Sequence, residues 1–210
     1  MTAERLRAAL DTLAAAEPAF GRAIARIGYP PPRVRARGYE TLLRTMVGQQ
    51  VSVASADAMW NRLVAAGLVA PDAIAAASDE SLRAAGLSRQ KSSYARSLAN
   101  EVASGRLDFA ALPEEDEAAI AALTRIKGIG RWSAEIYLLF AEGRSDIWPA
   151  GDLAIQIEVG QLLGLEARPG EPATRALAEP WRPHRGAAAV FAWHHYGRRL
   201  RDRGTDKAPL

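Results

Sequence analysis

The 210-residue chain contains no cysteine. That excludes a disulfide framework, a thiolate-ligated zinc site, an iron–sulfur cluster and a thiol nucleophile. Long apolar runs are missing as well. The longest stretches without a charged residue, Thr45–Ala56 and Gly186–Gly197, are 12 residues each, short of the ~20 apolar residues that span a bilayer. No membrane partner is expected. The start, Met1 to Leu13, is charged and amphipathic and does not read as a secretory leader, so a cytoplasmic, reducing compartment is the expectation. Only three histidines occur. His194 and His195 are adjacent, so on a helix they diverge by ~100° and cannot share a metal as an i, i+4 pair would.

What is present is ordinary for a globular protein: 49% apolar and 24% charged residues, in a length that suits one sizeable domain or two small lobes. The net charge is +3, yet six arginines and one aspartate fall between Arg182 and Arg203. This local excess suits a polyanion such as nucleic acid; an arginine-rich solvated helix face fits it equally.

The dominant pattern is helical. Ala, Leu, Arg and Glu recur at 3.6-type spacing, and no strand pair with a hairpin turn stands out. The spacing predicts helices near 3–16, 18–27, 38–48, 52–66, 71–77, 79–85, 88–104, 114–123, 132–142, 152–163, 171–179 and 184–202. Ser52, Ser78 and Ser88 can cap helices that stop at Gly67, Gly86 and Gly105. The acidic run Glu114–Glu117, after Pro113, suits a first helical turn. Pro30–Pro32 reads as a loop. An all-α fold is predicted.

The segment Leu123-Thr-Arg-Ile-Lys-Gly-Ile-Gly-Arg-Trp-Ser-Ala134 is the most informative. One helix ends near Leu123, Gly128 and Gly130 make a tight corner, and a second helix starts at once. Two glycines allow positive φ and leave no side chain above the turn. The amides of Gly128, Ile129 and Gly130 can then point outward at a helix N-terminus and hold a phosphate oxygen, with Lys127 and Arg131 adding charge. A plain interhelix corner would share the glycines.

With Asp152 20 residues after Trp132, this string resembles the helix–hairpin–helix DNA glycosylases, and within them the 3-methyladenine DNA glycosylase II branch. Further matching motifs lie in order between Tyr39 and Tyr196. They are Val47-Gly-Gln-Gln-Val-Ser52, Gly86-Leu-Ser-x-x-Lys91 with Tyr94, Gly151-Asp152, and Trp181-Arg-Pro-His-Arg185 followed by Ala192-Trp193. Two features depart from the pattern. The family's Gly-Pro-Asp loop appears as Pro149-Ala150-Gly151-Asp152, and the β-rich N-terminal domain of some members is not expected here, since the residues before Tyr39 read as helical.

The resemblance implies a two-lobed helical fold with the active-site cleft between the lobes. On this reading residues 1–38 form an N-terminal segment packing on the second lobe, 39–125 a lobe with a wedge loop, and 126–210 the hairpin, the catalytic aspartate and a basic helix. It implies base flipping in double-stranded DNA that contains damaged bases, by a monomer associated with the nucleoid. Gln50 falls at the intercalating position, with Gln49 beside it, although a polar interhelix turn reads the same. Ser52, Lys91 and Arg185 join the hairpin as phosphate contacts. No cofactor is required; the family hairpin binds a monovalent cation, Na+ or K+, through main-chain carbonyls that would here be those of Thr124, Ile126 and Ile129.

Breaking an N-glycosidic bond develops positive charge on the sugar and consumes water, and one carboxylate can serve both needs. Asp152 is the candidate, at the start of a helix whose dipole favours negative charge; it also reads as an ordinary N-cap, and the roles are compatible. Trp132 stands where lyase members carry a catalytic lysine. A lysine there would form a Schiff base, which tryptophan cannot do, so a monofunctional enzyme is expected. A methylated purine is cationic, and aromatic faces attract a cation; Trp132 and Trp193 are the candidate walls, with Ile136 and Leu153 where some relatives have tyrosines. The competing expectations are a non-catalytic helix–hairpin–helix DNA-binding module, a glycosylase with lyase activity, and a structural helical protein.

Overall fold

The computed structural model describes residues 1–202. The described residues contain α-helices and one 3₁₀ turn, with no strand among them. The helices are α1 (Ala3–Ala16), α2 (Pro18–Ile27), α3 (Tyr39–Gly48), α4 (Val53–Ala65), α5 (Pro71–Ala76), α6 (Asp79–Ala84), α7 (Arg89–Ala103), α8 (Asp116–Thr124), α9 (Arg131–Phe140), α10 (Leu153–Leu162), α11 (Glu171–Leu177) and α12 (Arg185–Asp202).

Local chemistry explains most boundaries. The side chains of Thr2, Ser52, Ser78, Ser88 and Asp152 each accept a hydrogen bond from the backbone N–H three residues on, opening α1, α4, α6, α7 and α10. Helix α8 starts at Asp116 rather than 114, because the Glu115 carboxylate caps it by accepting from the amides of Glu117 and Ala118. Helix α11, expected to reach 179, ends at Leu177, and Glu179–Trp181 turns as 3₁₀.

The chain divides into two compact units: Met1–Val34 with the residues from Leu138 onward, and Arg35–Tyr137. The sequence reading placed the breaks at 38/39 and 125/126, with the hairpin in the C-terminal part; in the structure the hairpin belongs to the unit of the preceding helices. The reason is visible at the hairpin itself. A Cβ on Gly128 would come within 2.3 Å of the Tyr94 ring, and Lys127 N donates to Ser97 Oγ at 3.0 Å. Both partners lie on α7.

The Arg35–Tyr137 unit is organised around α7, against which α3, α5 and α6 pack. Leu42, Leu43, Met46, Ile74, Leu82 and Leu98 are fully buried there. In the other unit α12 packs on α1, α2 and α10. Its run Ala187–Ala188–Ala189 is buried, which permits close helix approach. The Phe20 and Trp181 rings meet edge-on at 5.1 Å, and Trp148 meets Trp181 at 5.4 Å.

Candidate active site

Asp152 closes a tight turn. Its amide donates to Pro149 O at 2.9 Å, and the buried Gln156 side chain donates to Ala150 O at 2.9 Å, holding the turn from α10. The carboxylate oxygen Oδ1 accepts from Ile155 N at 3.0 Å and from Trp193 Nε1 at 3.2 Å. Asp152 therefore is the N-cap of α10, and it is also hydrogen-bonded to an indole from α12. Trp193 is half-buried, its ring tilted against Phe140 at 5.6 Å. Leu153, next to the carboxylate, is 55% exposed. Within this unit the structure thus assembles Asp152, Leu153 and Trp193. Gln156 escaped the sequence reading; its signal was the position one helical turn after Asp152.

In the other unit the hairpin is a rigid corner. Gly128 adopts φ +84 over the Tyr94 ring, a conformation and a clearance that only glycine allows. Gly130 differs from the expectation: its φ is not positive, and a Cβ there would meet nothing within 4 Å. Gly130 O accepts the first backbone bond of α9, from Ala134 N. The Ile129 amide is also corrected, because it donates to Ile126 O at 3.1 Å and closes the turn instead of pointing outward. Among the described residues the amides of Gly128 and Gly130 have no protein acceptor. These two donors, with exposed Lys127 beside them, are the groups left for an anion.

Arg131 is committed elsewhere. Its guanidinium pairs with Glu117 and with the buried Glu135 at 2.9 Å, so it is an intramolecular clamp between α8 and α9 rather than an uncompensated cation. Trp132 follows it and is 38% exposed, whereas Ile136, one turn on, is buried.

The α3–α4 turn is tied to the hairpin. Gln49 Nε2 donates to Gly128 O at 3.0 Å, and Lys91 Nζ donates to Val47 O at 2.5 Å. Both side chains are thus used inside the protein: Gln49 as a tether, Lys91 as a cap on the C-terminal carbonyls of α3. Burial lowers the Lys91 pKa from its ordinary value. Gln50 remains exposed at the tip with φ 57, an uncommon conformation for a non-glycine residue. Ser52 caps α4 and is exposed.

Arg185 is the clearest correction. Its side chain is buried and pairs with Asp146 at 2.8 Å and Glu179 at 2.9 Å. With Arg182 bound to the same two carboxylates, the segment Trp181–Arg185 is a latch at the start of α12, not a phosphate contact. Arg199 likewise pairs with Glu158, which is fully buried and also meets His195. Of the arginine-rich tail, Arg198 and Arg201 are exposed, and Arg203 lies outside the described residues.

For a monovalent cation at the hairpin, the carbonyls of Thr124 and Ile129 accept no backbone hydrogen bond among the described residues, while Ile126 O takes one from Ile129 N. The main-chain donor set is compatible with such an ion. No group of three or more acidic or histidine side chains suited to a metal occurs among the described residues, and no helix there is long and apolar enough to cross a membrane.

Comparison with known proteins adds an independent line. The chain is 34% identical over 161 residues to DNA-3-methyladenine glycosylase 1 of Schizosaccharomyces pombe, covering 74% of this chain and 71% of that protein. Its fold is similar to the crystal structure of a DNA-3-methyladenine glycosidase from Bacillus halodurans, with TM-score 0.84 and 30% identity over 92% of this chain and 91% of that one. It is also similar to a 3-methyladenine DNA glycosylase of S. pombe in complex with abasic DNA, with TM-score 0.73 and 31% identity over 90% and 95% of the two chains. Residues 43–183 match the family model described as HhH-GPD superfamily base excision DNA repair protein. The chain belongs to the HhH-GPD superfamily of base excision DNA repair proteins.

Proposed function

We propose that the protein is a monofunctional DNA glycosylase that releases alkylated purines, of the 3-methyladenine and 7-methylguanine type, from double-stranded DNA. The observation that carries this reading is the Asp152 carboxylate, aimed by two N–H donors, Ile155 N and Trp193 Nε1, on one oxygen. Preorganised placement of a charge where the transition state develops the opposite one is the largest catalytic lever available. The relatives named above supply the substrate class.

In this mechanism the hairpin amides of Gly128 and Gly130 hold a phosphate beside the flipped nucleotide, with Lys127 adding positive charge. Gln50, at the tip of the turn that Gln49 and Lys91 brace, fills the gap left in the stack. Trp193, hydrogen-bonded to Asp152, offers an aromatic face to the cationic base, which is already a good leaving group, and Trp132 is a second aromatic candidate. Asp152 stabilises the oxocarbenium-like sugar and orients or deprotonates the attacking water. A Na+ or K+ on the carbonyls of Thr124, Ile126 and Ile129 would add positive charge behind the phosphate; no other cofactor is required.

The absence of a strand-cutting step follows from residue 132. Tryptophan has no amine to form a Schiff base, so the product is an abasic site in an intact strand. Incubation with methylated DNA, with chromatography of the freed bases, tests the reading. Released methylpurine without a borohydride-trapped protein–DNA adduct is the expected result. No release from methylated DNA overturns the enzyme in favour of a DNA-binding module, and a trapped adduct overturns the monofunctional assignment.

A further inference from the structure

A polar groove of about 560 Å³ runs along one face of α7, between α6 and the hairpin. Five cations line it against two carboxylates, an excess equal to the net charge of the whole chain. The carboxylates are already engaged: Asp79 pairs with Arg96, and Glu101 takes the Arg106 guanidinium through Nη2 at 2.9 Å and Nε at 3.2 Å. Arg83, Arg89 and Lys127 form no side-chain ion pair among the described residues, and all three are exposed. Leu87 is the sole apolar side chain in the lining, and no aromatic ring contributes to it.

That composition selects a class of ligand. Without an aromatic or broad apolar wall the groove cannot hold a base by stacking, whereas arginine forks and hydroxyls suit phosphate oxygens. Lys127 connects the groove to the hairpin. It lines the groove, its own amide is anchored on Ser97 Oγ at 3.0 Å, and the next residue, Gly128, presents one of the two open amides. The face from Arg89 to Asn100 runs ~16 Å at the helical rise of about 1.5 Å per residue, which matches roughly five base pairs of duplex.

We infer that this groove is a second phosphate-binding surface, which takes the DNA backbone after it leaves the hairpin and extends the footprint beyond the lesion. The inference rests on the reading that the protein binds damaged duplex DNA, and it adds a site outside the hairpin and the Asp152 turn.

The test is the double variant R83A/R89A against wild type on two duplexes that carry an abasic site. One barely covers the lesion, and the other extends about ten base pairs further on each side. On the long duplex the slope of log K against log salt should become shallower by about two, with affinity down roughly ten- to thirty-fold at physiological salt. The short duplex should bind as before. Single-turnover base release at saturating enzyme should be unchanged, and R83K/R89K should restore the slope. An unchanged slope on the long duplex overturns the groove, and so does an equal loss on both duplexes. A wild type that shows the length-dependent slope but frees no base would overturn the glycosylase reading alone. Wild type that binds neither duplex at low salt would overturn both.

Discussion

The indole Nε1 of Trp193 donates to Asp152 Oδ1 at 3.2 Å, joining α12 to the first residue before α10 across 41 positions of sequence. The same oxygen accepts from Ile155 N. Capping a helix requires only the second of these bonds. The first fixes the carboxylate rotamer from a different helix, which is what a group that must meet a reacting atom requires.

Replacing Asp152 with asparagine separates the two roles. Asparagine caps a helix about as well as aspartate, so the melting temperature should hardly move. Loss of the negative charge should lower single-turnover base release by about 10² to 10⁴-fold while duplex affinity is retained. A variant that keeps a tenth of the wild-type rate would contradict the assignment.

The two hairpin glycines should behave oppositely. Gly128→Ala places a methyl 2.3 Å from the Tyr94 ring at φ +84 and should destabilise the fold by about 1–3 kcal/mol. Gly130→Ala meets nothing within 4 Å, so denaturant unfolding should change by less than about 1 kcal/mol. Yet the added methyl stands where a phosphate must approach, and DNA affinity should fall. Equal affinity for Gly130→Ala and wild type would remove the hairpin from the interface.

Arg185→Met should act on stability rather than on DNA. Removing Arg185 from the ion-pair cluster leaves Asp146 to Arg182 alone and strips its buried hydrogen bonds, at a cost of up to about 3 kcal/mol. The salt dependence of DNA binding, measured under conditions where the variant stays folded, should be unchanged. A slope shallower by about one would restore Arg185 as a phosphate contact.

Stability should also decline in mild acid through His194. Among the described residues its Nε2 is buried without a hydrogen-bond partner, and burial lowers the ring pKa from 6.5. The folded state therefore prefers the neutral ring. This contribution is complete above about pH 6.5 and is lost as pH falls through the lowered folded value. The depressed pKa values of Asp79, Glu101 and Glu179, each hydrogen-bonded to an arginine, act in the same direction at lower pH. Thermal melting between pH 8 and pH 5 reads the effect. His194→Gln should flatten the part of the profile nearest neutrality, and an unaltered profile would count against His194.

The helices were legible because their signals are local. Ser52, Ser78, Ser88 and Asp152 sit next to the amides they cap, so α4, α6, α7 and α10 begin within one residue of the expectation. Helix α8 began later because the acidic run offers several capping carboxylates in a row and Glu115 took the role. The site was legible only in part. Asp152 and Gly128 stood out by spacing, while the Trp193 indole bond, the Gln49 tether and the Gln156 brace reach across the chain or depend on side-chain direction.

Composition and pattern alone determined an all-helical chain without thiol chemistry, a glycine corner between two helices, and an aspartate opening the helix that follows. Each depends on residue type or on groups within about four positions of one another. Tertiary structure alone decided which charges stay available. Arg131 and Arg185 are as cationic in sequence as Arg83 and Arg89, yet Glu117 and Glu135 take the first and Asp146 and Glu179 the second. Ion pairing depends on distances between side chains such as Arg185 and Asp146, far apart along the chain, and those distances are set only when the helices pack.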